Sequence, residues 1–288
     1  MSIGRQERAL SEISAFVDQQ SQFWDAAKPP RALFHYTSPG GLIGIVTTKV
    51  IWASDMLSLN DASEAAYPSR LIGEVLDANH PNVSEEHRQR FKTQLTDYTF
   101  RLFSPFVVCF SEEDDLLSQW RAYGNGGEGF ALELTFAWLS SLESGGFRLR
   151  KVIYERAQQE DLILMLLQQV SSLLGDQTFS EGEQAQIWQG AAASLAPWVI
   201  MFKDPAFSEE REWRLVNTNL MRATHFRRSG HRIVPYLEIA IKDAEAITGV
   251  IRGPYFAGAD ERGVYYMMVS NGFVLGATIR DSRIPLRK

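Results

Sequence analysis

Three groups of side chains along this 288-residue chain have the types and spacing to do chemistry. The first is His35-Tyr36-Thr37-Ser38, followed directly by Pro39-Gly40. Ser38 reads as a helix cap and Pro39 as a first-turn residue, so these side chains stand where a strand ends and a helix begins. Backbone N–H groups are free at such a place and favour an anion. An imidazole there can hydrogen-bond a ribose hydroxyl while a neighbouring ring stacks on a planar base or nicotinamide. The same four residues also read as a capping serine beside a satisfied, half-buried histidine.

The second group is Glu209-Glu210-Arg211-Glu212-Trp213-Arg214. If the chain is extended here, Glu210, Glu212 and Arg214 share one face, and Arg211, Trp213 and Leu215 take the other. Two carboxylates would then lie within about 7 Å of each other, and Arg214 could pair with one and leave the other free. A free carboxylate stabilises the oxocarbenium-like ribosyl cation that forms as a glycosidic bond breaks. A solvated, charged strand edge accounts for the same residues without chemistry.

The third group, Gln119-Trp120-Arg121-Ala122-Tyr123 before Gly124-Asn125-Gly126-Gly127, puts Trp120 and Tyr123 on one helix face ahead of a loop free to approach a ligand. These rings wall a pocket or simply pack. Asn60-Asp61 with Glu64 is explained by a turn and a helix cap.

The elements that must position these groups follow from periodicity. Apolar residues from Ile3 to Ala26 recur at helical spacing up to Pro29-Pro30, and this helix is expected to lie across the core. Strands are expected at 32–36, 50–54, 106–110, 129–135, 148–154, 212–216, 233–241, 247–252 and 278–281. Helices are expected at 40–48, 84–102, 117–123 and 259–271, and two long ones at 158–174 and 180–202 interrupt the strands. Short strands and helices in blocks favour an α+β fold with flanking helices over a doubly wound sheet. The expected organisation is an N-terminal helix over 1–30, then one α+β domain over 31–288 with a helical insertion at about 156–203.

Composition narrows the function classes. With 45% hydrophobic and 22% charged residues the chain is of ordinary globular make-up. Cys109 is the single cysteine, which rules out an internal disulfide and points to a reducing, cytoplasmic setting. Its place in the run Pro105 to Phe110 reads as an inert core thiol. No stretch has the roughly 20 apolar residues of a membrane span, and the first residues lack a signal peptide's apolar core. A formal charge of −6 argues against a generally basic nucleic-acid surface, although Arg222, His225, Arg227, Arg228, His231 and Arg232 form a local basic run. That run also reads as a solvated hairpin. Walker and dinucleotide loops are absent, as is a nucleophile elbow, and the five histidines are scattered without a ligand-like doublet. No metal site is therefore expected.

Phe34-His35-Tyr36-Thr37, Leu59-Asn60-Asp61 with Glu64, Phe110-Ser111, Gln119-Trp120 with Tyr123 and Gly129, Lys203 with Glu210-x-Glu212-Trp213-Arg214, and Gly253-Pro254 together resemble the bacterial family catalogued as domain of unknown function 2971. The likeness runs from about residue 30 to the closing Ser282-Arg283-Ile284-Pro285-Leu286. A more distant similarity is to the ADP-ribosyltransferase superfamily, with a histidine on an early strand, a serine or tyrosine on a middle one and a Glu-x-Glu on a late one. This second resemblance implies a mostly antiparallel, short-stranded central sheet and NAD as substrate. It assigns His35 to the ribose and amide, Ser111 or Tyr123 to the middle position, Glu212 to catalysis, and Glu210 to activation of the acceptor. Tyr36, Thr37, Trp120 and Arg214 would complete the nucleotide site. A Ser-Thr-Ser motif is missing.

The expected function is transfer of ADP-ribose to a protein or nucleic-acid acceptor, or to water, by cleavage of the nicotinamide N-glycosidic bond. A non-catalytic module holding a nucleotide or partner, in phage defence or stress, is the alternative. A nucleic-acid enzyme is a second. The enzymatic reading requires His35, Tyr123 and Glu212 to line one hollow.

Overall fold

The computed structural model describes residues 4–24, 29–58, 62–78, 83–99, 105–176, 179–217, 225–255, 261–273 and 278–285. Along the chain the elements are α1 (Arg5–Trp24), β1 (Ala32–Thr37), α2 (Pro39–Thr48), β2 (Val50–Asp55), α3 (Ala62–Asp77), α4 (Glu85–Asp97) and β3 (Phe106–Ser111). Then come α5 (Leu117–Ala122), β4 (Phe130–Thr135), α6 (Phe136–Ser141), β5 (Phe147–Lys151), α7 (Arg156–Asp176) and α8 (Glu181–Val199). The chain continues through β6 (Glu212–Asn217), β7 (His225–Ser229), β8 (Arg232–Ala240), β9 (Ile247–Arg252), α9 (Glu261–Ser270) and β10 (Thr278–Asp281). This is a mixed α/β chain with a large, mostly antiparallel open sheet. Among the described residues no helix is long and apolar enough to cross a membrane.

Contacts divide the chain into two compact units rather than one domain with an insertion. A helical unit takes residues 1–27, 59–104 and 152–207, and a sheet unit takes 28–58, 105–151 and 208–288. In the helical unit α7 and α8 do not stand apart, because α8 packs on α1 and α4 and α7 packs on α3. Helix α1 thus lies against other helices of its own unit. Tyr67 donates to the Gln159 side chain at 2.6 Å, and Gln159 donates to the carbonyls of Ile153 and Lys203, so a fully buried amide is satisfied on both sides. Ser180 and Glu183 close a capping box at the start of α8.

In the sheet unit the strand order is β10-β9-β4-β1-β3-β2-β8-β7, and β6 pairs with both β3 and β5. The β9–β10 pair is parallel and the other ladders are antiparallel. Strand β3 is apolar on both faces, as a central strand must be. It has three partners. Val107 pairs with Val216 of β6 and Ser54 of β2, while Ser111 pairs with Glu212 of β6 and Phe34 of β1. One edge of β3 therefore carries β6, and the other is shared by β2 at its start and β1 at its end. Between them the sheet is split.

Register assigns side chains to faces, since directly opposed residues lie on the same face and neighbours alternate. Leu33, Phe106, Val108, Phe110, Leu132, Trp213, Leu215, Leu237 and Ile239 belong to the main core on one face. Tyr36, Trp120, Ala131 and Ile251, with Phe34 and Ile284, form a smaller cluster on the other.

Candidate functional site

Strand β1 ends at Thr37, and Ser38 caps α2 by accepting from the Gly41 backbone N–H at 3.1 Å, with Pro39 opening the first turn. His35 is on the main-core face beside Phe110, their ring centroids 5.8 Å apart. Its Nδ1 lies 3.0 Å from the Cys109 carbonyl. A carbonyl only accepts, so the proton sits on Nδ1 and the ring's Nε2 is left as an acceptor. The carbonyl that His35 takes belongs to the β3 edge where β1 and β2 part. No hydrogen bond to Nε2 is formed among the described residues.

His35 is half-buried. Desolvation lowers its pKa from 6.5, opposed in part by the bond to Cys109, and the neutral ring prevails at pH 7. The unfolded chain takes up the proton first as pH falls through 6.5, so this histidine makes stability decline on the acid side. Urea midpoints measured between about pH 5 and 8 should fall with acid, and His35→Asn should remove its share of the slope. Equal slopes in both proteins would contradict this burial.

The adjacent aromatic faces the other way. Tyr36 is buried, packs edge-on against Trp120 at 4.8 Å, donates to the Glu113 carbonyl at 2.8 Å and accepts from the Leu116 N–H at 3.1 Å. Burial raises its pKa, and the backbone donor at Leu116 offsets only part of that. A His and a Tyr adjacent on a strand cannot both line one pocket, so Tyr36 is a packing residue here. Thr37 shares the face of His35. Gly129 lies close to its carbonyl, where a Cβ on Gly129 would come within 2.3 Å. The glycine loop from Gly124 is thus packed against the end of β1 and against Gly253, whose N–H donates to the Gly129 carbonyl at 2.9 Å. It is not free to close on a ligand.

The acidic segment differs from expectation in one residue of backbone. Pro205–Glu210 is a 3₁₀ turn, and Arg211 has a φ of 43° in the left-handed region, so β6 starts at Glu212. Glu210 is therefore not on the strand, and its carbonyl accepts from Ser111 Oγ at 2.7 Å. Arg214 Nε and Nη2 donate to the two Glu212 carboxylate oxygens at 2.7 and 3.2 Å, with the side chains only 1% and 6% exposed. This planar fork is the strong form of the pair. The carboxylate expected to remain free is held by the arginine two residues on.

Parity of register separates the two groups. Glu212 opposes Ser111, and Ser111 opposes Phe34, so Glu212 lies on the face of Phe34 and Tyr36. His35 points to the face of Phe110 and Trp213. The common hollow for His35, Tyr123 and Glu212 is not formed, because the sheet itself stands between imidazole and carboxylate. Trp120 is fully buried in α5, whereas Tyr123 follows the helix and is 41% exposed, so those two rings do not wall one pocket either. Ser111 is buried, and its hydroxyl accepts from the Glu113 N–H at 3.0 Å besides donating to Glu210. Asn60 and Asp61, the Glu64 side chain and Arg222 lie outside the described residues. Sequence reasoning missed Asp115, which accepts from Trp120 Nε1, Ser282 Oγ and the Arg283 N–H. Burial pushes its carboxyl up, but these donors together hold it below the usual range. The acidic run Glu112 to Asp115 was the available signal.

A family model described as "Protein of unknown function (DUF2971)" matches residues 119–215, about a third of the chain. The matched stretch holds Trp120, Tyr123 and the Glu212–Arg214 fork and begins at Gln119, so His35 is outside it. No curated protein and no solved structure matches the chain.

Proposed function

We propose that this chain is a recognition module for a nucleotide of the NAD or ADP-ribose class, held where β1 and β2 part from β3. One observation carries the reading: His35 reaches the Cys109 carbonyl at that split, which fixes its tautomer and leaves Nε2 as an acceptor. An acceptor nitrogen suits a ribose hydroxyl. The cleavage chemistry implied by the likeness to ADP-ribosyltransferases needs a carboxylate on the same side, and Glu212 is on the opposite face in a fork with Arg214. Binding without turnover follows from that arrangement.

Calorimetry with ADP-ribose and NAD tests it. His35→Ala should weaken binding roughly five- to tenfold, since a lost hydrogen bond to a polar ligand is worth about 1–1.5 kcal/mol. Glu212→Gln should leave affinity unchanged, and no nicotinamide should be released by either protein. Nicotinamide release that depends on Glu212 would replace this reading with catalysis, and an absence of binding to both nucleotides would end it.

A further inference from the structure

Away from His35, the far end of the sheet unit presents an unusual surface. Strand β7 is the last in the order, and it forms a hairpin with β8 through Ser229, Gly230 and Arg232. No acid occurs between Glu212 and Glu238 in a chain whose formal charge is −6. Among the described residues Arg227, Arg228 and Arg232 form no ion pair, whereas Arg150, Arg156, Arg214, Arg252 and Arg280 each hold a carboxylate. Arg227 donates to Ser54 Oγ at 3.2 Å, and Arg228 donates to the Gly230 carbonyl at 2.9 Å.

Rings accompany these charges. Register puts His225, Arg227, Tyr236, Trp52 and Ser54 on one face of β7, β8 and β2. Tyr236 lies between two ring neighbours, His225 stacked at 5.4 Å and Trp52 at 4.5 Å, and the Arg227 guanidinium is 5.9 Å from the Trp52 ring. Trp52 is 45% exposed, and on the opposite face of the hairpin Phe226 and Ile233 are 65% and 76% exposed. Glu238, opposed to Trp52 and 3.9 Å from His225, forms no ion pair with these arginines among the described residues.

We propose that single-stranded nucleic acid docks on the face of β7, β8 and β2 that carries Trp52, with a base stacked on Trp52 and backbone phosphates paired to Arg227 and Arg232. The exposed Trp52 and His225, beside arginines that form no ion pair among the described residues, match a strand whose bases are unstacked, because stacking gives sequence-tolerant affinity and arginine supplies the charge. This surface is independent of the nucleotide reading at His35.

Fluorescence anisotropy of the full chain with labelled oligo-dT and oligo-U of about 12 nucleotides, a length within the usual site range, tests the proposal. Binding should weaken with salt, and the slope of log affinity against log salt should become shallower by roughly 0.7 for each arginine replaced in Arg227→Gln and Arg232→Gln. Trp52→Ala should weaken binding roughly tenfold and Trp52→Phe should restore most of it. His35→Ala should have no effect, which separates failure here from failure of the nucleotide site. Circular dichroism confirms that each variant is folded. Absence of binding to both oligonucleotides, affinities unchanged in the folded variants, or capture by phosphatidylserine vesicles without capture of either oligonucleotide would overturn it.

Discussion

Arg214→Met lowers the unfolding free energy by about 3–5 kcal/mol, the usual loss when one partner of a buried ion pair is removed. The reason is what stays behind. Glu212 is 5% exposed and loses both donors of its fork, so an ionised carboxylate would stay buried in the sheet without the arginine's charge beside it. Replacing both residues, Glu212→Leu with Arg214→Met, should recover most of the loss, because two apolar groups of similar volume remove the desolvation cost together. Urea unfolding of the two single variants and the double variant reads this coupling directly. Additive losses would mean that the fork contributes little and that Glu212 is satisfied elsewhere.

Trp120→Ala should cost a comparable amount, about 3–5 kcal/mol, as expected for truncating a fully buried tryptophan. Trp120 is 0% exposed, meets Tyr36 edge-on and donates to Asp115 at 2.7 Å. Asp115 in turn binds Ser282 and the Arg283 N–H, so the indole anchors the segment after β10 as well as filling space. Trp120→Phe keeps the ring contact and loses the hydrogen bond, and it should fall between wild type and alanine in thermal midpoint. A midpoint for the alanine variant within a degree or two of wild type would contradict this packing, since 1 kcal/mol is worth roughly 2–4 °C in a chain of this size.

Local signals in the sequence were legible where a single short stretch decides the outcome. Ser38 and Ser84 cap their helices, Ile247 to Arg252 and Thr278 to Asp281 are strands, and Glu212 and Arg214 share a face opposite Trp213 and Leu215. Strand β7 was not legible, because His225-Phe226-Arg227-Arg228-Ser229 carries no alternation. An edge strand with one partner can hold charge on both faces. The turn over Pro205–Glu210 was also hidden. Extended geometry there would have put Glu210 beside Glu212, but the left-handed Arg211 shifts the pattern by a residue.

The candidate site was legible in half. Placing His35 at a strand end before a capped helix required only adjacent residues. Its partner is a backbone carbonyl 74 positions away, and the split between β1 and β2 depends on three strands choosing edges of β3. Whether His35 and Glu212 meet is a matter of register parity across two ladders, and a slip of one residue would reverse it. No single-sequence pattern carries that information. Types and spacing nominated both residues; non-local pairing placed them on opposite faces.

The most direct test of the account is the ring nitrogen spectrum of His35 in ¹⁵N-labelled protein, assigned with His35→Asn, before and after ADP-ribose is added. The account predicts a neutral ring protonated on Nδ1 at pH 7, with the Nε2 resonance moving on binding and the same movement in Glu212→Gln. A ring protonated on Nε2, or a spectrum that ADP-ribose leaves unchanged while nicotinamide is released from NAD, would contradict it.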